Sequence, residues 1–374
     1  MLNKIKRFIA SEHLLRVDAL YLVALSGGAD SVALLLCLKE LGYRVEAVHC
    51  NFHLRGEESL RDEQFCEDLC QRENIPFHKV HFDTQAYADL HKVSIEMAAR
   101  ELRYRYFFQL KEALGADGVC VGHHKEDSVE TILINLVRGT GLSGLMGIRP
   151  RNHDVIRPLL CVTRQEIEDY LHQHAVSFVT DSTNLIDDVV RNKIRLNVLP
   201  QLSEINPSVT DAILTTANHL SEVNAIVQES LKEALGKAVS FINSATQVSS
   251  NSLSNEPFQL DLSVVRAFPS PSYLLFYILK PLGFSSSQIA EMVSHLDGQT
   301  GQLWYSPSHE ITHDRGVFMV LPREEAEPRQ LVIPETGRYV YDEQLSLRLT
   351  ERALTPSSNV SYSKNPMIVD LDAA

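Results

Sequence analysis

Six consecutive residues, Ser26-Gly27-Gly28-Ala29-Asp30-Ser31, set two glycines among two hydroxyls and a carboxylate. Paired glycines let the backbone turn tightly, so that successive amides and a following helix N-terminus converge on one anion. Ser26 and Ser31 add hydroxyl donors, and Asp30 can hold Mg²⁺ or order the loop. The chemistry is that of a phosphate cradle. There is no lysine and no GxxxxGK[ST] spacing, which excludes a P-loop ATPase, and the GxGxxG of dinucleotide folds is also missing. A Ser/Asp helix cap is the plainer alternative. The place of all six residues, between an apolar strand and the first helix, favours phosphate.

Four further groups could act beside it. In His49–Ser59, Arg55 and Gly56 suit a cationic, close-approach contact to a nucleotide, whereas His49 and His53 lack a third metal ligand in register. Arg100 and Arg103 stand one helical turn apart and could neutralise a polyanion. In Gly122–Thr131, Asp127 and Glu130 are three apart and so share a helical face. Two such acids can grip an ammonium or share a metal ion; otherwise they are first-turn acids that offset the helix dipole. The glycine-rich run 138–148 favours the first, by suggesting close backbone approach to a ligand. Arg191 and Arg195, one turn apart, make either a basic helix face or a phosphate clamp.

The elements that must position these groups follow from periodicity. Strands are expected at Leu20–Leu25, Val45–His49, Phe77–Phe82 and Val119–Val121. Helices are expected at Val32–Leu41, Ser59–Glu73, Ile95–Leu114 and Asp127–Val137. This alternation predicts an α/β fold with a doubly wound parallel sheet, whose ligands bind at the carboxyl ends of the strands. The loops at 26–31, 49–57 and 122–127 lie at those ends. After Asn206-Pro207 the pattern turns helical to about Phe241, and a polar tract, Asn243–Pro257, reads as a flexible loop. A strand at Phe258–Leu262, helices at Tyr273–Leu279 and Ser287–His295, and a hairpin of Gln302–Tyr305 with Val317–Leu321 follow. The last fifty residues favour strands at Gln330–Ile333, Arg338–Tyr341, Leu345–Leu349 and Met367–Leu371. The expected domains are 1–205 (catalytic), 206–325 (helical and mixed) and 326–374 (the start of a β-rich domain).

The 374 residues carry a formal charge of −13, so any nucleic-acid surface must be a local groove. No apolar run approaches the ~18–20 residues of a membrane span. Six scattered cysteines without a CxxC point to a reducing, cytoplasmic setting.

The 26–31 loop resembles the SGGxDS loop of the N-type ATP pyrophosphatases, which cleave ATP between its α- and β-phosphates to adenylate a substrate oxygen. The downstream motifs resemble, in order, those of the tRNA(Ile)-lysidine synthetase family: HCNFHLRG (49–56), AR–RY (99–104), GHHKEDSVET (122–131), RGTGLSGLMGI (138–148), RPLL–TRQEIEDY (157–170) and DSTN–RNKIR (181–195). The likeness is dense over 20–205 and looser over 206–240. Glu126 stands where the family has aspartate, Ser128 where it has glutamine, and Thr183 splits the family's Ser-Asn pair. The resemblance implies lysine ligation to C2 of the wobble cytidine of an isoleucine tRNA with a CAU anticodon, using ATP and Mg²⁺. It implies ATP contacts from Ser26, Gly27, Gly28, Ala29, Asp30, Ser31, Asn51, Arg55 and His123, with Mg²⁺ at Asp30 and Mg²⁺ or lysine at Asp127. Asp127 and Glu130 would bind or deprotonate L-lysine; Arg191 and Arg195 would contact its carboxylate or a phosphate. No membrane contact is implied, and oligomeric state stays open, with a homodimer among the options. The family runs on past a DLDA-like strand into a basic domain, so part of the tRNA-gripping surface is expected beyond this chain. A tRNA thiolase of the same superfamily, an amidotransferase-type synthetase and a non-catalytic ATP sensor are the competing readings.

Overall fold

Strand β1 (Leu20–Ala24) is apolar, with Tyr21, Leu22 and Val23 wholly buried, because it takes parallel neighbours on both edges. Its partners are β2 (Arg44–Asn51) and β4 (Gly118–Cys120); β3 (Phe77–His81) extends the sheet beyond β2. On the other side β6 (Val155–Ile156) pairs parallel with β4, and β5 (Arg151–Asn152) closes back on β6 antiparallel. The order β3-β2-β1-β4-β6-β5 places the topological switch between β1 and β4, where open α/β sheets bind ligands. The computed structural model describes residues 1–179, 190–242, 253, 256–298 and 300–323, with the backbone of 337–340 and 346–349. No helix among them is long and apolar enough to cross a membrane.

Helix α2 (Ala29–Glu40) is buried at every position from Val32 to Leu38, so it is apolar all round rather than amphipathic. Ile5 and Ile9 of α1 (Leu2–Ser11) join it in one core, as do Ile167, Tyr170 and Leu171 of α8 (Arg164–Gln173). That enclosure fixes the N-terminus of α2, and with it the 26–31 loop. The other helices of this unit are α3 (Glu57–Glu73), α4 (Thr84–His91), α5 (Ile95–Leu114), α6 (Lys125–Arg138) and α7 (Leu142–Leu145). Helix α5 has the expected bounds: the Ser94 side chain accepts from the Met97 amide, and Gly115 ends the helix in the left-handed region. Helix α4, which periodicity did not reveal, is capped in the same way by Asp83.

The chain forms two compact units, Met1–Ser230 and Leu231–Ala374. In the second, an antiparallel sheet contains Val239–Phe241, Phe258–Asp261, Val317–Pro322, His309–Asp314 and Leu303–Tyr305, in that spatial order. Helices Leu262–Ala267, Pro271–Leu279 and Ser286–Ser294 supply much of its core, through Leu274, Leu275, Ile278 and Met292. The expected hairpin is corrected here. Leu303–Tyr305 does not pair with Val317–Pro322, because His309–Asp314 lies between them and pairs with both. Gly337–Val340 and Ser346–Leu349 form a separate antiparallel pair. The Asp181–Asn184 motif, most of the 243–257 tract, and the strands expected at 330–333 and 367–371 lie outside the described residues.

Candidate active site

The phosphate loop is held by its own hydroxyls. Ser31 Oγ donates to the Gly28 carbonyl at 2.9 Å and accepts from the Ser26 amide at 3.2 Å; the Gly28 amide donates to Ser26 Oγ at 3.4 Å. Gly27 has φ +91°, a conformation that favours glycine, while a Cβ there would only come into ordinary contact with Cys66 Sγ and Phe65 at 3.4 Å. Gly122, which sequence reasoning passed over, matters as much. A Cβ on it would sit 3.0 Å from the backbone of Asp30 and 3.1 Å from the Ser31 amide. Glycine at the end of β4 thus lets that strand lie against the loop; its place directly before the histidine pair was the available signal.

The loop opens on a cleft of about 410 Å³, within the range of small-ligand pockets. Ser26, Gly28, Asp30, Ser31, Asn51, Arg55 and His123 all line it, so the structure brings together the three expected loops. Asn51 is committed internally: its Nδ2 donates to Glu63 at 2.8 Å and to the Ser59 carbonyl at 3.3 Å, and its Oδ1 accepts the His53 amide. Arg55 pairs with buried Asp62 at 3.1 Å. His123 accepts from Arg157 Nε at 3.2 Å, and burial, the largest influence, depresses its imidazole to about 4; it is neutral in the cleft. Arg100 and Arg103 also line the cleft and pair with no carboxylate among the described residues; Arg103 lies over the Phe52 ring at 5.1 Å.

Deeper in, His124 organises the acids. Its Nδ1 is 2.8 Å from Glu126, while its Nε2 faces Asp127 at 3.6 Å and Asp30 at 3.8 Å. Burial alone would depress this imidazole, but the three carboxylates outweigh it and raise it. Burial pushes the Asp30 carboxyl up against the pull of His124 and Arg164, and Asp30 Oδ1 is buried with no hydrogen-bond partner. Asp127 Oδ2 accepts the His124 amide at 3.0 Å, so the capping role is real, and its Oδ1 lies 3.5 Å from Arg195.

Glu130 is 0 % exposed and doubly bonded to Arg195, at 2.6 Å from Nε and 3.1 Å from Nη2. Arg191 approaches the same carboxylate at 3.5 Å and donates to Thr131 Oγ1 at 3.0 Å. The acid pair and the arginine pair, read separately in the sequence, are therefore each other's partners. Arg195 sits in a π-helical turn, Ile194–Val198, a distortion that recurs at functional sites. The glycine-rich run behaves differently from expectation. Gly147 approaches Ser128 and Ile132 and so packs the loop on α6, whereas Gly144 approaches Thr140 within the loop itself. The oxygen of Ser128, the departure from the family's glutamine, accepts the Ile148 amide at 3.0 Å.

All six cysteines are free, and burial raises every thiol: Cys37, Cys50 and Cys70 to about 12, Cys161 to about 11, Cys66 and Cys120 higher still. At pH 8 thiolate is at most about one part in a thousand, so no cysteine is poised as a sulfur carrier. Iodoacetamide at pH 8 should accordingly leave ATP-dependent turnover intact in the native protein. Rapid inactivation with loss of one thiol would reinstate a sulfur-relay chemistry.

Comparison with known proteins narrows the choice. Residues 1–202 match the PP-loop domain family and residues 253–323 the TilS substrate binding domain. A tRNA(Ile)-lysidine synthase of Bacteroides thetaiotaomicron is 47 % identical over 373 residues, covering 99 % of this chain and 80 % of that one. Its counterpart in Parabacteroides distasonis is 42 % identical over 373 residues, covering 100 % and 81 %. Among solved structures, the U34-tRNA thiolase NcsA from Methanococcus maripaludis, with its [4Fe-4S] cluster, aligns at TM-score 0.50 and 16 % identity over 59 % of this chain and 78 % of that one, a likeness of fold. A pinned phosphate loop at the sheet's switch point and identity sustained across the whole chain lead to one assignment: the chain belongs to the tRNA(Ile)-lysidine synthase family, built on a PP-loop catalytic domain.

Proposed function

We propose that the protein ligates L-lysine to C2 of the wobble cytidine, position 34, of isoleucine tRNA with a CAU anticodon, in the cytoplasm. The observation that carries the reading is that Asp30 of the phosphate loop and Asp127 of α6 face the same imidazole, His124, with Arg195 joining Asp127 to Glu130. An anion cradle thus stands one imidazole away from a second acid, as a reaction of a triphosphate with an amine requires.

The 26–31 loop holds the ATP phosphates by its amides and hydroxyls. The cytosine O2 attacks the α-phosphorus, pyrophosphate leaves, and the lysine ε-amine then displaces AMP from C2. Arg100 and Arg103 offset charge on the polyphosphate and the RNA backbone. An ε-ammonium has a pKa of ~10.4, so it must lose its proton before it attacks. We assign that proton to Asp127, whose Oδ1 lies 3.5 Å from Arg195. Fully enclosed Glu130 instead orients Arg195 and Arg191, which are set to contact the lysine carboxylate or a phosphate. Mg²⁺ fits Asp30, whose buried Oδ1 lacks a partner. When bound, it offsets charge developing on the phosphates.

Mass analysis of tRNA(Ile) after incubation with ATP and each amino acid in turn tests this reading. A gain of one lysyl residue on the wobble nucleotide, with lysine alone, is expected. A sulfur-for-oxygen gain, or ATP cleavage with unchanged tRNA, would sink it. RNA affinity should also fall steeply with salt despite the acidic average. Arg100→Gln and Arg103→Gln should each lower the log–log slope by about 0.7 if the residue meets a single-stranded phosphate; unchanged slopes would remove both from the interface.

A further inference from the structure

Beside the nucleotide cleft lies a second hollow of about 440 Å³, lined in part by Phe52, His53, Leu54, His81, Phe82 and Asp83. Phe52 and Leu54 line both hollows, so the two share a wall one side chain thick. Nothing in the chemistry above uses this second space.

Its lining is flat and rich in acceptors. Phe52 and Phe82 stack at 5.6 Å, and the His53 and His81 rings stand 4.9 Å apart and hydrogen-bonded, Nε2 to Nδ1, at 2.8 Å. Glu63 is buried, yet its carboxyl is held below the usual range: burial raises it, but hydrogen bonds from Asn51 and Lys79 outweigh burial. Its Oε2 lies 3.2 Å from His81 Nε2, so the histidine pair is anchored beside a buried acid. Asp83 uses one oxygen to cap α4 at 2.9 Å, and a carboxylate only accepts. Both histidines are exposed, so their ring faces are open to a ligand.

Single-stranded RNA is read by stacking unstacked bases on aromatic and imidazole rings and by bonding their edges. We propose that this hollow holds the base 3′ to the cytidine being modified, an adenine whose face lies on His81 and whose exocyclic amine donates to Asp83. The proposal rests on the lysidine synthase reading, in which the CAU anticodon places adenine at position 35. It gives the catalytic domain a direct hold on the anticodon, next to the cleft where the cytidine reacts.

A cycle of RNA and protein changes tests it, with the full chain, tRNA(Ile) and a non-hydrolysable ATP analogue. The variants are His81→Leu and His53→Asn; asparagine tolerates the left-handed backbone at position 53, where φ is +53°. Removing the base at position 35 should weaken RNA binding to the unaltered protein by about five- to a hundredfold, the range of one stacked base. In either variant the same removal should cost less than threefold, and removal of the base at 33 should cost all three proteins equally. Hypoxanthine at 35, which presents a carbonyl in place of the amine, should weaken the unaltered protein at least threefold. An equal penalty at 35 in all three proteins overturns the proposal, and a tolerated hypoxanthine overturns the amine contact, both while lysidine formation by the unaltered protein stands. Failure of that protein to form lysidine on intact tRNA overturns the functional reading instead. ATP affinity and melting temperature report whether each variant is folded; if His81→Leu is not, the cycle stands on His53→Asn.

Discussion

Asp30→Asn should reduce pyrophosphate release from ATP by at least a hundredfold while leaving the melting temperature unchanged or slightly raised. The two halves of that result have one cause. Asp30 lies in the first turn of α2, half-buried among groups that do not satisfy it: among the described residues the buried Oδ1 has no hydrogen-bond partner, and Oδ2 meets Arg164 at 3.4 Å and His124 at 3.8 Å. A carboxylate whose charge is disfavoured by burial costs the fold free energy, and it persists where a ligand cation repays that cost. The amide keeps the shape and removes the charge. Loss of one preorganised electrostatic contact at a phosphoryl centre is worth about 10²–10³ in rate. An acid that merely offset the helix dipole would behave in the opposite way, with ~0.3–1 kcal/mol lost from stability and turnover retained. Pyrophosphate release beside thermal melting separates the two, and unchanged release with lowered stability removes Asp30 from the phosphate site.

That loop was legible because its information is local. Six adjacent residues carry the turn, the hydroxyls and the acid, and β1 and α2 on either side announce themselves by composition. The parallel sheet was legible for a similar reason, since buried strands read as short apolar runs. What escaped depended on partners far along the chain. Asp127 and Glu130 share a face as spacing required, but Glu130 meets Arg195 sixty-five residues later, and no periodicity announces a salt bridge across that interval. Gly144 and Gly147 were recognisable as sites of close approach, though whether to a ligand or to the chain itself lay in tertiary packing. In the second unit, His309–Asp314 turns His309, Ile311 and His313 inward, so two of its three buried positions carry imidazoles and the apolar alternation that marks a strand is masked. The hairpin reading failed on that concealed strand.

The cluster that sequence could not assemble carries the other large effect. Glu130→Gln should lower stability by about 2–4 kcal/mol, more than any helix-cap change in the same turn. Breaking a buried ion pair by removing one partner costs about 3–5 kcal/mol, because the other charge is left buried and unpaired. Here Arg195 and Arg191 keep 29 % and 39 % of their side-chain surface in water, which softens that penalty. The compensating change is Arg195→Met, which removes the stranded charge and keeps much of the volume. Glu130→Gln combined with Arg195→Met should therefore be more stable than Glu130→Gln alone, with a coupling of at least 1 kcal/mol. Lysidine formation should not return with stability if Arg195 contacts the substrate as proposed. Asp127→Asn provides the contrast. It leaves the Glu130–Arg195 pair in place and removes the acid nearer the cleft, so ATP binding should survive while the response to lysine concentration falls about ten- to a hundredfold, the worth of one charge-assisted contact. Chemical denaturation of Glu130→Gln, Arg195→Met, their combination and Asp127→Asn, with lysine titrations of each, resolves the assignment. Full activity in the double variant would make the pair purely structural, and a lysine response lost only on changing Glu130 would exchange the roles of the two acids.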